Sequence, residues 1–154
     1  MTLSYKMATR ADTHALNEFR WQVAMNMYSF GRKSKRSFKK DFLFFLNDEL
    51  HENEYQCYYA FNDDGIQATI YWEKYEEQTS YENLGPKVWG YIRYFDKKPM
   101  IDEKVCEILL EYMIAYAKKH QYHALMIFGR HTRPHVLVKQ GFVLDGDTYV
   151  LHLS

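Results

Sequence analysis

The apolar positions along the chain follow two rhythms, one helical and one strand-like. Leu3 to Ala8 reads as a short strand, and Thr9 stands three residues before Asp12, the spacing of a capping box that starts a helix. Leu16, Phe19, Val23 and Met27 then recur at three and four residues, which gives that helix one apolar face, and Gly31 is placed to stop it. Phe38, Phe42, Phe45, Leu46 and Leu50 share one side of a second helix. The rhythm then changes. YQCYYAF (Tyr55 to Phe61) and IQATIYW (Ile66 to Trp72) are strand-rich runs joined by NDDG, and Asp-Gly between two such runs signals a hairpin. The polar stretch EKYEEQTSYENLGP reads as a connection to a third strand, KVWGYIRYF, Lys87 to Phe95.

The segment KKPMIDEKVCEILLEYMIAYAKKH, Lys97 to His120, opens with a turn and continues as a long helix. Its polar stripe is Lys104, Glu107, Glu111 and Lys118, and the breadth of the remaining apolar face suits a helix laid across a sheet. HALMIF, His123 to Phe128, is a near-continuous apolar strand of the kind buried on both faces, and the helix between it and KVWGYIRYF makes a right-handed βαβ unit. Thr132 and Pro134 open a short helix that Gly141 closes, and FVLDG and YVLHL are two final short strands. The predicted order is β-α-α-β-β-β-α-β-α-β-β, in one domain spanning residues 1–154 with no repeat, low-complexity tract or linker.

Charge and composition narrow the function classes. Twenty basic residues balance twenty acidic ones, so no global field draws the protein to nucleic acid or to an anionic membrane. MTLSYKMATR lacks the apolar core of a signal peptide, and no apolar run approaches the roughly 20 residues of a membrane span. Cys57 and Cys106 both sit inside apolar runs, where buried thiols of a reduced cytoplasm are expected. No CxxC or His-x3-His pair comes with further ligands for a structural metal, and Walker loops, a strand-linked G-x-G-x-x-G and a nucleophile elbow are all absent. The expectation is a cytoplasmic domain with no metal, no nucleic acid and no membrane partner.

The order of elements carries a resemblance. KVWGYIRYF feeding a long helix and then an apolar strand resembles the GNAT acyltransferase superfamily. GRHTRPHVLVKQGFVLDGDTYVLHL, Gly129 to Leu153, is similar to that family's last segment: a short helix, a Gly-Phe pair starting a strand, and a terminal hairpin. KMATRADTHAL and YYAFNDDGIQA resemble its first strand–helix junction and its second hairpin. The resemblance covers essentially the full chain, and order and spacing carry it. It implies an α/β fold with a mixed, mostly antiparallel twisted sheet and helices on both faces. It also implies acetyl-CoA as co-substrate, bound where the third and fourth strands after Tyr55 splay apart. The acceptor it implies is a small-molecule or peptide amine, and pairing of terminal strands implies a homodimer.

Three local features of the family map onto numbered positions. The resemblance places the pyrophosphate loop on Ile101, Asp102, Glu103, Lys104, Val105 and Cys106, and none of its three diagnostic positions matches. Ile101, Lys104, Val105 and Cys106 are the candidate cofactor contacts there, together with Lys98 before the helix and the backbone of Tyr94, Phe95 and Asp96, which would pair with the pantetheine arm. Asp102 and Glu103 would face the diphosphate, yet either carboxylate can instead accept from the helix's own first N–H groups. The family's tyrosine acid falls on Leu137; His131 and His135 nearby can substitute, or are simply exposed histidines at a helix start. The family's acidic base falls near Gly90, and Glu73 at the end of the preceding strand is the nearest acid by topology.

Two further clusters have two readings each. Arg32, Lys33, Lys35, Arg36, Lys39 and Lys40 rim the acceptor site in the family, or form a solvated loop. Tyr71, Trp72, Trp89, Tyr91 and Tyr94 form a packed cross-strand aromatic cluster, or the wall of a ligand site. The functional expectation is an N-acetyltransferase that moves an acetyl group from acetyl-CoA to a primary amine. The alternative is a catalytically inactive GNAT-fold binding or regulatory module without ordinary CoA binding.

Overall fold

A computed structural model describes residues 2–27, 55–77, 87–129 and 133–153. The elements are β1 (Ser4–Met7), a 3-10 turn (Arg10–Asp12), α1 (Thr13–Met27), β2 (Tyr55–Asn62), β3 (Gly65–Glu77), β4 (Lys87–Lys97), α2 (Glu103–Lys119), β5 (Ala124–Phe128), α3 (Pro134–Lys139), β6 (Val143–Asp145) and β7 (Thr148–His152). The helix expected over Phe38 to Leu50 and the basic run Arg32 to Lys40 lie outside the described residues. The remaining elements follow the predicted order.

Local chemistry explains where the elements begin. The Thr9 backbone N–H donates to Asp12 Oδ2 at 2.7 Å, which is one half of the expected capping box. Asp12 Oδ1 also accepts the Tyr59 hydroxyl at 2.9 Å and lies 3.2 Å from Lys6 Nζ, so the start of α1 is tied to β1 and β2. In the β2–β3 hairpin, Asp64 N donates to Asn62 Oδ1 and Gly65 takes φ +105°, a conformation that favours glycine.

The strands form one seven-stranded sheet in the order β1-β2-β3-β4-β5-β7-β6. Every neighbouring pair is antiparallel except β4 and β5. Alternation along the strands divides the core in two. On one face Leu16, Phe19 and Val23 of α1 meet Cys57, Tyr59 and Tyr71. On the other, Cys106, Leu109, Leu110 and Met113 of α2 cover Ala60, Ala68, Ile70, Trp72 and Ile92. Each fully buried leucine or methionine contributes about 1.5–3 kcal/mol relative to exposure, so α2 is the main clamp on the sheet. Cys57 and Cys106 are buried, unbridged thiols.

Three sequence expectations change. β3 runs on to Glu77, because polar Lys74 to Glu77 pair with Gly90 to Lys87 of β4; Glu73 therefore lies within the strand and not at its end. β5 is not buried on both faces throughout, since Phe128 is 53% exposed at its end. The expected aromatic cluster is split between the two faces: Trp72 packs on Tyr116 of α2, whereas Tyr71 meets Tyr94 on the α1 face.

Candidate active site

The sheet opens between β4 and β5. Their parallel ladder runs from Trp89↔Ala124 to Ile92↔Ile127, and β4 then continues to Lys97 against β3. At that same point the β3–β4 register shifts: Tyr71 pairs with Tyr94 but Trp72 with Ile92, so Arg93 is the extra residue of a β-bulge. A bulge bends its strand and re-aims its side chain. Of the predicted cofactor residues, Tyr94, Phe95 and Asp96 stand on this departing stretch. Phe95 enters the α2 core, while Tyr94 carries the Arg20 guanidinium 4.1 Å above its ring and Asp96 pairs with Arg20 at 2.8 Å.

The start of α2 follows the end of β4 after a short turn. Asp102 is the N-cap (φ −63°, ψ 140°), and its side chain accepts from Lys104 N at 2.9 Å, so the expected self-capping is present. The turn before it is tight: Lys98 N donates to Gln67 O and Ile101 N to Lys98 O. Val105 and Cys106 turn their side chains into the core, and Val105 N donates to Asp102 O. Burial pushes the Cys106 thiol up to about 12, which keeps it protonated at neutral pH. Lys104 is exposed.

Glu103, the first residue of α2, draws cations from two other elements. Arg133 Nη1 donates to Oε1, Lys97 Nζ lies 3.8 Å from the same oxygen, and His135 Nε2 is 3.7 Å from Oε2. Arg133 caps α3 and Lys97 ends β4, so the fold delivers both to one carboxylate. Among the described residues, Glu103 Oε2 and Arg133 Nε are buried without hydrogen-bond partners. The helix start is thus an anion site already filled from within the chain.

The predicted acid–base residues fall in two places. His135 is largely exposed beside Glu103, and Leu137, where the resemblance places a tyrosine, is fully buried in the core. His131 lies outside the described residues. Glu73 is on β3 opposite Tyr91, its Oε2 accepting the Tyr55 hydroxyl at 2.9 Å and lying 3.8 Å from Arg93 Nε. No contact joins Glu73 to His135 among the described residues. At Gly90 an added Cβ would lie 2.6 Å from Leu125 Cδ2 and 2.9 Å from the Tyr122 ring, so packing demands glycine where the family places an acid.

Sequence reasoning missed Arg93, Arg133, Tyr55 and Phe128. A bulge leaves no mark on the alternation of KVWGYIRYF, so nothing in the sequence separated Arg93 from its neighbours. Arg133 did have a signal, since the residue before a helix-opening proline is a cap position.

The whole architecture recurs in solved structures. A predicted acetyltransferase from Clostridium acetobutylicum, solved with acetyl-CoA, is 21% identical and superposes with a TM-score of 0.76 over 99% of this chain and 96% of its own. The chain has the GNAT fold. A GNAT acetyltransferase from Brucella melitensis in complex with acetyl-CoA gives 0.71 at 9% identity, over 99% and 89% of the two chains. One from Staphylococcus aureus gives 0.69 at 16% identity, over 99% and 100%. No protein-family model and no curated protein matches the sequence. In this GNAT fold β4 runs on to Lys97 beyond its last rung with β5, and α2 begins at Glu103. Among the described residues, no helix is long and apolar enough to cross a membrane.

Proposed function

We propose that the protein is an N-acetyltransferase that transfers an acetyl group from acetyl-CoA to a primary amine of a small-molecule or peptide acceptor. The observation that carries this reading is the opening of the sheet at Ile92↔Ile127 with Arg93 bulged beside it, in a fold shared with acetyltransferases solved with acetyl-CoA.

The roles follow from placement. Acetyl-CoA supplies an activated thioester. The backbone of Tyr94, Phe95 and Asp96 lies along the opening and is assigned to the pantetheine arm. Lys98, Ile101 and Lys104 are assigned to the helix start, where the side chains of Val105 and Cys106 are buried and Val105 N already donates to Asp102 O. The donors at this start suit a diphosphate, since Lys97, Arg133 and His135 already gather around one anion, Glu103. Glu73, held by Tyr55 and placed beside the bulge, takes the proton of the acceptor ammonium. His135, with His131, is assigned to return a proton to the leaving sulfur, a task suited to imidazole near neutral pH.

The same reading includes a homodimer and a cytoplasmic location. Val138, Val143 and Leu144 expose apolar surface around the edge strand β6, which supports pairing with a second copy. The unbridged, buried Cys57 and Cys106 support a reducing compartment.

Melting temperature followed during an acetyl-CoA titration tests the proposal. A ligand with a dissociation constant of about 10 μM stabilises by about 2.7 kcal/mol at hundredfold excess, which moves Tm by about 5–10 °C in a chain of this size. No shift at millimolar acetyl-CoA removes the reading. With an amine that releases CoA thiol, Glu73→Gln is expected to slow release by about 10²–10⁴-fold while preserving the acetyl-CoA shift.

A further inference from the structure

A line of contacts crosses four strands beside the bulge. Tyr55 of β2 donates to Glu73 Oε2 of β3, and that oxygen lies 3.8 Å from Arg93 Nε of β4. The Arg93 guanidinium stands 5.3 Å from the Tyr91 ring centre, and Tyr91 meets the Phe128 ring of β5 nearly edge-on at 5.4 Å. Tyr55 is buried beneath this line, while the Arg93 side chain is 44% exposed and that of Glu73 31%. Phe128 projects just past the last rung of the parallel ladder, where the sheet opens.

The two charges do not satisfy one another. At 3.8 Å their contact is too long for a hydrogen bond, and a guanidinium has five N–H donors to place. Both contacts of Glu73 fall on Oε2, so Oε1 has no partner among the described residues. A cation and an anion therefore stand side by side, each with an open edge, next to an exposed aromatic ring. The complementary ligand carries the opposite pair of charges on adjacent atoms, with an apolar group beside them.

We propose, resting on the acetyltransferase reading, that the acceptor is an α-amino acid with an apolar side chain, its ammonium on Glu73, its carboxylate on Arg93 and its side chain against Phe128 and Tyr91. A simple amine would leave Arg93 facing a second cation, and a ligand with only a carboxylate would meet Glu73. In the reaction the ammonium gives one proton to Glu73 and its nitrogen bonds to the acetyl carbon. The carbon–sulfur bond breaks, and the second nitrogen proton leaves with the sulfur as CoA thiol. Glu73 then returns its proton to water, so the products are the N-acetyl amino acid, CoA thiol and one proton.

Three matched probes test this: L-phenylalanine, phenethylamine and 3-phenylpropanoate, titrated calorimetrically into the full chain. L-Phenylalanine is expected to bind at least about tenfold more tightly than either single-charge analogue. Arg93→Gln should lower the affinity for L-phenylalanine and, by removing the like charge, tighten phenethylamine binding, so that the ratio between the two collapses. If Arg93→Gln does not fold, the ranking of the three probes on the unaltered protein decides. Equal binding of phenethylamine and L-phenylalanine, no binding of any probe, or a ratio unchanged in a folded Arg93→Gln overturns the inference. CoA thiol release is measured on the same probes. The binding preference without release supports the amino-acid site and overturns the acetyltransferase reading, whereas faster release with phenethylamine overturns the amino-acid site alone.

Discussion

Replacing Glu103 with glutamine separates two jobs that one carboxylate performs. In the free protein Glu103 is favourable at the α2 N-terminus and pairs with Arg133, Lys97 and His135. The side chain is 39% exposed, so these surface-type contacts together contribute about 0.5–1 kcal/mol. With a diphosphate at the helix start, the same carboxylate becomes a like charge at about 6 Å, a repulsion of about 2–3 kcal/mol per unit charge at an effective dielectric near 20. Solvent screening at this exposure reduces that to about 1–1.5 kcal/mol. Glu103→Gln is therefore expected to lower the Tm of the free protein by about 1–4 °C and to tighten acetyl-CoA binding about tenfold. Calorimetric titration with acetyl-CoA and with S-acetylpantetheine, which lacks the diphosphate, measures both effects. The gain should appear with acetyl-CoA and vanish with S-acetylpantetheine. Unchanged or weaker acetyl-CoA binding, or an equal gain with S-acetylpantetheine, would refute the view that Glu103 occupies the phosphate position.

Three further substitutions probe the scaffold. Gly90→Ala forces a methyl into the side chains of Leu125 and Tyr122 and should cost about 1–3 kcal/mol in chemical denaturation. Gln121 sits at φ 61° after α2, where Gln121 N donates to Lys118 O and Tyr122 N to Ala117 O in a Schellman-type stop. Gln121→Gly should stabilise by about 0.5–1 kcal/mol, read as a higher denaturation midpoint. Burial raises the Asp12 carboxyl, but Thr9, Tyr59 and Lys6 outweigh it and hold the group below its ordinary range. Its contribution is thus present above the unfolded value and lost as pH falls through the lower folded one, so Asp12→Asn should flatten the stability profile below about pH 4.

What the sequence made legible was whatever its own local chemistry decides. NDDG, the Thr9–Asp12 spacing, Pro134 with Gly141 and the capping carboxylate of Asp102 each name a turn, a start or a stop, and each stands where it was expected. Cross-strand events were not legible. Glu73 read as the end of a strand because EKYEE is polar, but pairing with Lys87 to Gly90 extends the strand beyond it. The Arg93 bulge depends on how β3 and β4 register, which neither strand records by itself. The cluster around Glu103 depends on α3 approaching α2, so Arg133 and Glu103, 30 residues apart, gave no sequence signal as a pair. The fold could be read from order and spacing, whereas half of the candidate site arises from tertiary pairing.

The four rungs joining β4 to β5 have a consequence for assembly. β1 to β4 are linked by antiparallel pairings, and β5, β7 and β6 by a second antiparallel set, whereas the seam between them connects positions 35 residues apart in the chain. The α2 segment spans that crossover, so the parallel seam closes together with the docking of α2 on the sheet. The opening is where that closure stops. The end of the parallel seam and the proposed ligand-facing edge thus share one boundary, at Ile92 and Ile127.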